Sequence, residues 1–146
     1  PMPDHSVDCV MATEVIEHCL EPLDVMLEIN RVMRPGGVLF FTVPFLWPLH
    51  DVPFDYFRYT PFALESLLKK AGFAKSELHA LAGWDGALCQ MIGLWVRRRP
   101  MSAFLRRILS IMALPVCSLL ASRDKPPVNF GESQMLTGIS GLAWKN

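Results

Sequence analysis

Asp4 to Gly37 reads "DHSVDCVMATEVIEHCLEPLDVMLEINRVMRPGG", and its periodicities decide how the rest of the chain is arranged. "VDCVMA" (Val7 to Ala12) is a short apolar run after a polar turn, the pattern of a buried parallel strand. Further on, Val25, Met26, Ile29, Val32 and Met33 fall on one helical face, with Asp24, Glu28 and Arg31 on the other. Pro22 suits the first turn of that helix, and Arg31 and Arg34 suit the negative end of its dipole. Pro35-Gly36-Gly37 stops it. "VLFFTVP" (Val38 to Pro44), rich in β-branched and aromatic residues, then reads as a second buried strand.

Downstream the alternation repeats. Thr60 is an N-cap candidate with Pro61 at the first helical position, and Leu64, Leu67, Leu68 and Ala71 keep the spacing of an amphipathic helix. Lys69 and Lys70 fill its last turn, and Gly72 suits the left-handed residue beyond it. A third strand is expected within Lys75 to Leu81. Strand, helix, strand, helix, strand implies right-handed crossovers and a parallel sheet. From Gly86 the pattern changes: Ala87 to Val96 and Ala103 to Ser122 read as unusually apolar helices, with Pro115 kinking the second. After a Pro-rich link, Leu136 to Lys145 reads as a last strand that closes the sheet, although its glycines argue against it. The expected organisation is a sheet-and-helix core over residues 1–85, an apolar helical insertion over 86–122, and a linker with the last strand over 123–146.

The 146 residues, 51% of them hydrophobic, suffice for one domain with a real core. Fourteen basic residues balance 14 acidic ones, so nothing suggests a broad electrostatic grip on nucleic acid. Base is nonetheless concentrated around Arg97 to Arg99 and at Arg106 and Arg107. Cys9, Cys19, Cys89 and Cys117 lack C-x-x-C spacing and read as reduced core thiols, which implies a cytoplasmic location. The uncharged stretch from Ile108 to Ala121 has 14 residues, short of the roughly 18 to 20 that span a bilayer. Three readings compete for the apolar helices: an insertion packed on the domain, a helix at a membrane surface flanked by arginines, or a membrane hairpin.

Three strings carry a family resemblance: Asp4-His5-Ser6-Val7-Asp8, Glu14-Val15-Ile16-Glu17-His18, and Glu28-Ile29-Asn30-Arg31-Val32-Met33-Arg34-Pro35-Gly36-Gly37. Together they resemble the later half of a class I S-adenosylmethionine-dependent methyltransferase of the type 11 family, good to about Leu81 and loose at the final strand. The resemblance implies the fourth to seventh strands of a Rossmann-like, doubly wound α/β sheet, with a helical insertion before the last. It also implies S-adenosyl-L-methionine as cofactor, its edge lying along Ala12, Thr13 and Glu14. The family's glycine-rich loop and ribose-binding acid have no counterpart in this sequence, and Pro35-Gly36-Gly37 does not replace them, because it ends a helix ahead of a strand. The expectation is therefore a C-terminal portion that binds cofactor poorly by itself, within an intact protein that methylates an oxygen or nitrogen of a small molecule. A sugar or lipid-linked acceptor is favoured by analogy. The competing class is a non-catalytic methyltransferase-like module; a nicotinamide oxidoreductase would need a Tyr-x-x-x-Lys pair or equivalent, and neither Tyr56 nor Tyr59 has a lysine four residues later.

Ligands sit beyond the carboxyl ends of the strands in open α/β sheets, so Met11 to Glu14 and Pro44 to Thr60 border the expected site. In "HDVPFDYFRYTP" (His50 to Pro61), His50 is the candidate general base, because imidazole exchanges protons near neutrality. Asp51 or Asp55 would orient it, and Tyr56 or Tyr59 would wall the substrate. Asp55 and Arg58, three residues apart ahead of an N-cap, also suit a structural brace. Glu14, Glu17 and His18 stand at i, i+3 and i+4. Were the chain helical after Ala12, they would converge and, with His50, could hold a divalent cation such as Mg2+, as the resemblance implies for some relatives with E-x-x-E-H, although most members with this string need none. The opposing reading is that Glu14 and His18 hydrogen-bond loop backbone. The expected partners are a small-molecule acceptor and a membrane surface reached through residues 87–122; the sequence does not fix an oligomeric state.

Overall fold

A computed structural model of the chain describes residues 2–146. Its contacts divide it into two compact units: residues up to His79 together with Gly138–Asn146, and Ala80–Thr137. The first unit holds β1 (Val7–Thr13), α1 (Pro22–Val32), β2 (Met33–Pro44), α2 (Pro61–Lys70), most of β3 (Phe73–Leu81), and β4 (Gly138–Lys145). The second holds α3 (Trp84–Arg98) and α4 (Ala103–Arg123).

The sheet order is β1-β2-β4-β3. β1 and β2 are parallel, as the strand-helix-strand pattern requires. The last strand expected within Leu136 to Lys145 forms as β4, which runs antiparallel to β2 and lies between β2 and β3. Gly141, which weakened the strand reading, is what lets β4 fit. It pairs with Phe41, and a Cβ there would stand 2.3 Å from the Phe41 ring. The glycine thus makes room for a large, fully buried aromatic on the neighbouring strand.

Helix α1 ends at Val32, and Met33 to Gly37 already belong to β2. Val7 pairs with Met33 but Cys9 with Val38, so the Arg34-Pro35-Gly36-Gly37 segment bulges out of the ladder, with Gly36 at φ +77. At α2 the signals hold in detail. Thr60 Oγ1 accepts from Ala63 N–H at 3.2 Å, Pro61 opens the helix, Leu64 and Leu68 are buried, and Gly72 is left-handed. The core gathers Ile16, Met26, Met33, Leu39, Phe41, Val43, Leu64 and Ile139, all fully buried.

In the second unit, α4 runs unbroken through Pro115 for 21 residues. Asp124 ties the far end of α4 to the start of α3, accepting from Gly83 N–H at 2.9 Å and Gly86 N–H at 2.8 Å. Side chains at either glycine would collide with this junction, 2.4 Å from Lys125 O and 2.6 Å from Asp124 Oδ2 respectively. The cysteines also need correction. All four are free, but Cys9, on the edge strand β1, is exposed, and the other three are only half-buried.

Candidate functional site

The site lies where the carboxyl ends of β1 and β2 meet. Strand β1 continues to Thr13, and the chain then turns sharply: Glu14 is left-handed at φ 52, and Ile16–His18 form one 3-10 turn. The helix expected after Ala12 does not form, so the i, i+3, i+4 convergence of Glu14, Glu17 and His18 is absent. Glu14 folds back on β2, its N–H donating to Thr42 O at 3.0 Å and its Oε1 accepting from Thr42 Oγ1 at 2.8 Å. Ala12 is buried, while Thr13 and Glu14 are exposed at the strand end.

The loop after β2 is laced onto that turn. Tyr56 and Phe57 N–H both donate to Glu17 O, at 3.0 and 3.2 Å, and His18 Nδ1 donates to Phe54 O at 2.9 Å. Tyr59 is buried, its hydroxyl 3.4 Å from Ile16 O, and burial pushes its phenol above the usual range. It is a packing residue rather than a substrate wall. Asp55 and Arg58 form the brace, a bidentate pair with Nη1 to Oδ1 at 2.5 Å and Nη2 to Oδ2 at 2.7 Å. Arg58 hydrogen bonds hold the Asp55 carboxyl well below the usual carboxylate range.

This lacing brings His50 against His18, with ring centroids 4.7 Å apart and edge-on. Asp55 Oδ2 accepts from His50 N–H at 3.1 Å and lies 3.2 Å from His50 Nδ1. Of the two aspartates considered as orienting groups, Asp55 is therefore the one beside His50. Asp51 is exposed, left-handed at φ 49, and faces His18 Nε2 at 4.0 Å instead. Tyr56 is exposed and lines a cavity of about 280 Å³ with Phe45, Trp47 and Leu49.

Beneath the two histidines, Glu17 is fully buried and neither carboxylate oxygen has a hydrogen-bond partner. Burial pushes its carboxyl above the ordinary value, and the nearby Glu14 charge adds to the shift; its own backbone partly offsets it. His18 Nε2 is 3.7 Å from Glu17 Oε1. Since His18 Nδ1 donates its proton to Phe54, the lone pair lies on Nε2 in the neutral ring. Glu17, His18 and His50 each offer a ligand atom within 4.8 Å of the others, so of the expected cation ligands Glu14 stands apart. Nothing in the sequence marked Glu17 as the unpartnered acid, because partnering depends on how the two loops close.

The arrangement can do two kinds of chemistry: proton transfer at a braced imidazole, and acceptance of a cation or a proton at Glu17. Beyond a buried Ala12, the Thr13-Glu14 corner is exposed at the strand end and open to a ligand. The described glycines do not supply a phosphate- or methionine-cradling loop, since Gly36 and Gly37 are taken up by the β2 bulge.

Parallel strands crossed by a helix, an antiparallel strand inserted beside them, and a site at the strand ends define a Rossmann-like α/β sheet. Comparison with known proteins agrees. Residues 1–41 match the family model described as a methyltransferase domain. A probable S-adenosylmethionine-dependent methyltransferase of Mycolicibacterium smegmatis is 38% identical over 79 residues, which are 50% of this chain and 31% of that protein. The malonyl-[acyl-carrier protein] O-methyltransferase of a Marinomonas strain is 43% identical over 42 residues, 29% of this chain and 16% of its own. Among solved structures, an S-adenosylmethionine-dependent methyltransferase from Thermotoga maritima superposes on 100% of this chain and 59% of its own, with a TM-score of 0.60 at 15% identity. Phosphoethanolamine N-methyltransferase 2 of Haemonchus contortus, solved with S-adenosylhomocysteine, covers 99% of this chain and 35% of its own, with a TM-score of 0.56 at 15% identity. The chain is thus similar over residues 1–41 to a methyltransferase domain, and its fold is that of S-adenosylmethionine-dependent methyltransferases. It matches less than a third of the length of these two curated relatives.

Proposed function

We propose that the protein transfers a methyl group from S-adenosylmethionine to an oxygen or nitrogen of a small molecule, a sugar or lipid-linked compound being the acceptor class that suits the apolar surroundings. The observation that carries this reading is His50 in the loop after β2, its N–H held by Asp55, which with Tyr56 lines a neighbouring cavity of about 280 Å³. When bound, the cofactor supplies an electrophilic methyl for in-line displacement. The chain's own task is to align the acceptor and take its proton. Asp55 Oδ2, 3.2 Å from His50 Nδ1 but not hydrogen-bonded to it, draws the ring proton toward that side and leaves Nε2 to receive the acceptor's proton, and the Arg58 brace keeps Asp55 ionised. Tyr56 walls the acceptor, and Asp51 sits at the mouth beside His18. Thr13 and Glu14 border the cofactor.

The test uses the full-length protein, with S-adenosylmethionine affinity measured by calorimetry and turnover by S-adenosylhomocysteine release over a panel of hydroxyl and amine acceptors. His50→Ala is expected to lower turnover by about 100-fold or more while cofactor affinity stays within about twofold. Equal loss of both would remove His50 from the chemistry, and a protein that binds no cofactor would favour a non-catalytic module.

A second reading is supported by the unpartnered Glu17 oxygens beside His18 and His50: these three residues bind a divalent cation that helps orient the acceptor. Melting temperature should then rise with added Mn2+ or Zn2+ in the parent and not in Glu17→Gln. No rise in the parent would end this reading.

A further inference from the structure

The second unit contains a helix whose outward face is built against the usual rule. Helix α4 packs on α3, and half-buried Leu109, Ser110, Ala113, Cys117 and Leu120 fall on one side of it, with Ser110, Ala113 and Cys117 lining the cleft between the helices. The opposite side of a helix in water is normally polar. Here it carries Phe104, Ile108, Ile111, Met112 and Leu119, all exposed, at spacings of about one helical turn. No residue of α4 is fully buried, and the side away from α3 is apolar and exposed. Trp84 and Trp95 on α3 are exposed as well.

The charge of this unit points to what covers the stripe. From Gly86 to Arg123 there is no aspartate or glutamate. Five arginines, Arg97, Arg98, Arg99, Arg106 and Arg107, gather at the connection between the two helices, and all but Arg106 are exposed. Arg99 rests over the Trp95 ring at 5.1 Å, placing a cation and an amphipathic aromatic at the same end. An apolar stripe with a basic end and a tryptophan beside it matches an anionic lipid surface: side chains enter the acyl boundary, and arginines meet the headgroups.

The same helix is long and apolar enough, at 21 residues, to cross a membrane by length and composition. Its uncharged run from Ile108 to Ala121 argues otherwise. At about 1.5 Å per residue it is about 21 Å long, against a hydrocarbon core of about 30 Å. Arg106 and Arg107 would have to enter the hydrocarbon for α4 to span it in full.

We infer that α3 and α4 form a hairpin that binds the surface of an anionic bilayer, with Phe104, Ile108, Ile111, Met112 and Leu119 inserted and the Arg97 to Arg107 cluster on the headgroups. This holds whether or not the protein is a methyltransferase. The test is co-sedimentation of the full chain with vesicles of phosphatidylcholine alone or with about a quarter phosphatidylglycerol. Binding is expected only to the anionic vesicles, falling steeply between about 0.1 and 0.5 M salt. Replacing Arg97, Arg98 and Arg107 with glutamine should weaken partitioning about 100-fold, at roughly fivefold per arginine, while lysine at the same positions keeps it. Ile108→Asp with Ile111→Asp should abolish binding with the helical circular-dichroism signal unchanged. Equal binding to neutral vesicles, or full retention in the arginine variant, would overturn the inference. So would a vesicle-free dimer that the stripe variant dissociates, which would make a second copy the occupant. Resistance to alkaline carbonate extraction would overturn it in favour of a spanning helix.

Discussion

Asp55 and Glu17 are two buried carboxylates on the two loops that make the candidate site, and they are treated in opposite ways. Asp55 receives both arms of Arg58 and the His50 N–H. Glu17 receives no hydrogen bond on either side-chain oxygen, although its peptide oxygen holds two loop N–H groups. Their acidities accordingly move apart, Asp55 below the ordinary range and Glu17 above it. Burial alone therefore does not decide what a carboxylate does. A paired acid fixes a loop, whereas an unpaired one in the same neighbourhood stays reactive toward a proton or a cation.

The comparison breaks most visibly if Asp55 is made to resemble Glu17. Arg58→Ala leaves a buried carboxylate without its partner and should cost about 3 kcal/mol, the lower part of the range for such deletions, because Arg58 is itself partly exposed. Urea unfolding at pH 7 measures it. The parent's pH dependence carries the same signature. The Asp55 pKa is lower folded than unfolded, so its contribution is fully present above the ordinary carboxylate value and fades as pH falls below about 4. Asp55→Asn should be less stable than the parent at pH 7, and the gap should close toward pH 2. A gap independent of pH would mean that the pair contributes packing alone.

The converse change removes the unpaired acid. The Glu17 pKa is higher folded than unfolded, so its ionisation destabilises the fold as pH rises above the ordinary value of 4.5. Glu17→Met keeps the volume and removes the unsatisfied oxygens. It should therefore stabilise the protein by about 1 to 2 kcal/mol at pH 7 in chelator, and by less at pH 4. Thermal melts at the two pH values decide this. Destabilisation at pH 7 would show that Glu17 has a partner in solution.

Much of this contrast was out of reach of the sequence, for reasons that can be located. The Asp55–Arg58 brace and the Thr60 cap were legible because their partners lie three residues apart and depend only on local geometry. The parallel β1–β2 pair was legible because a helix of the right period separates two apolar runs. The choice of Asp55 over Asp51 beside His50 was not, since it rests on a left-handed residue at Asp51 that no local pattern requires. Of the expected ligand set only Glu14 misled: E-x-x-E-H has helical spacing, but the strand end bends Glu14 back to Thr42 before a helix can start, while Glu17, His18 and His50 do come together. The place of β4 depends on a long-range pairing of Gly141 with Phe41. The apolar character of α4 was plain in the sequence, whereas the exposure of its outer face emerged only once α3 was seen on the other side of it.

The smallest test asks whether the brace acts on its own loop or through the helix that follows. Thr60→Ala removes the cap on Ala63 N–H and should cost about 1 kcal/mol, measured by urea unfolding. Arg58 and Thr60 share no hydrogen bond in the structure, so if the brace works only by fixing His50 and the Pro48 to Phe57 segment, the double variant should lose the sum of the two effects within about 0.5 kcal/mol. A smaller loss would mean that the guanidinium and the cap stabilise one cooperative unit, the start of α2. In that case Asp55 would contribute to the helix as well as to His50, and the difference between the two acids would reach beyond the loop that contains one of them.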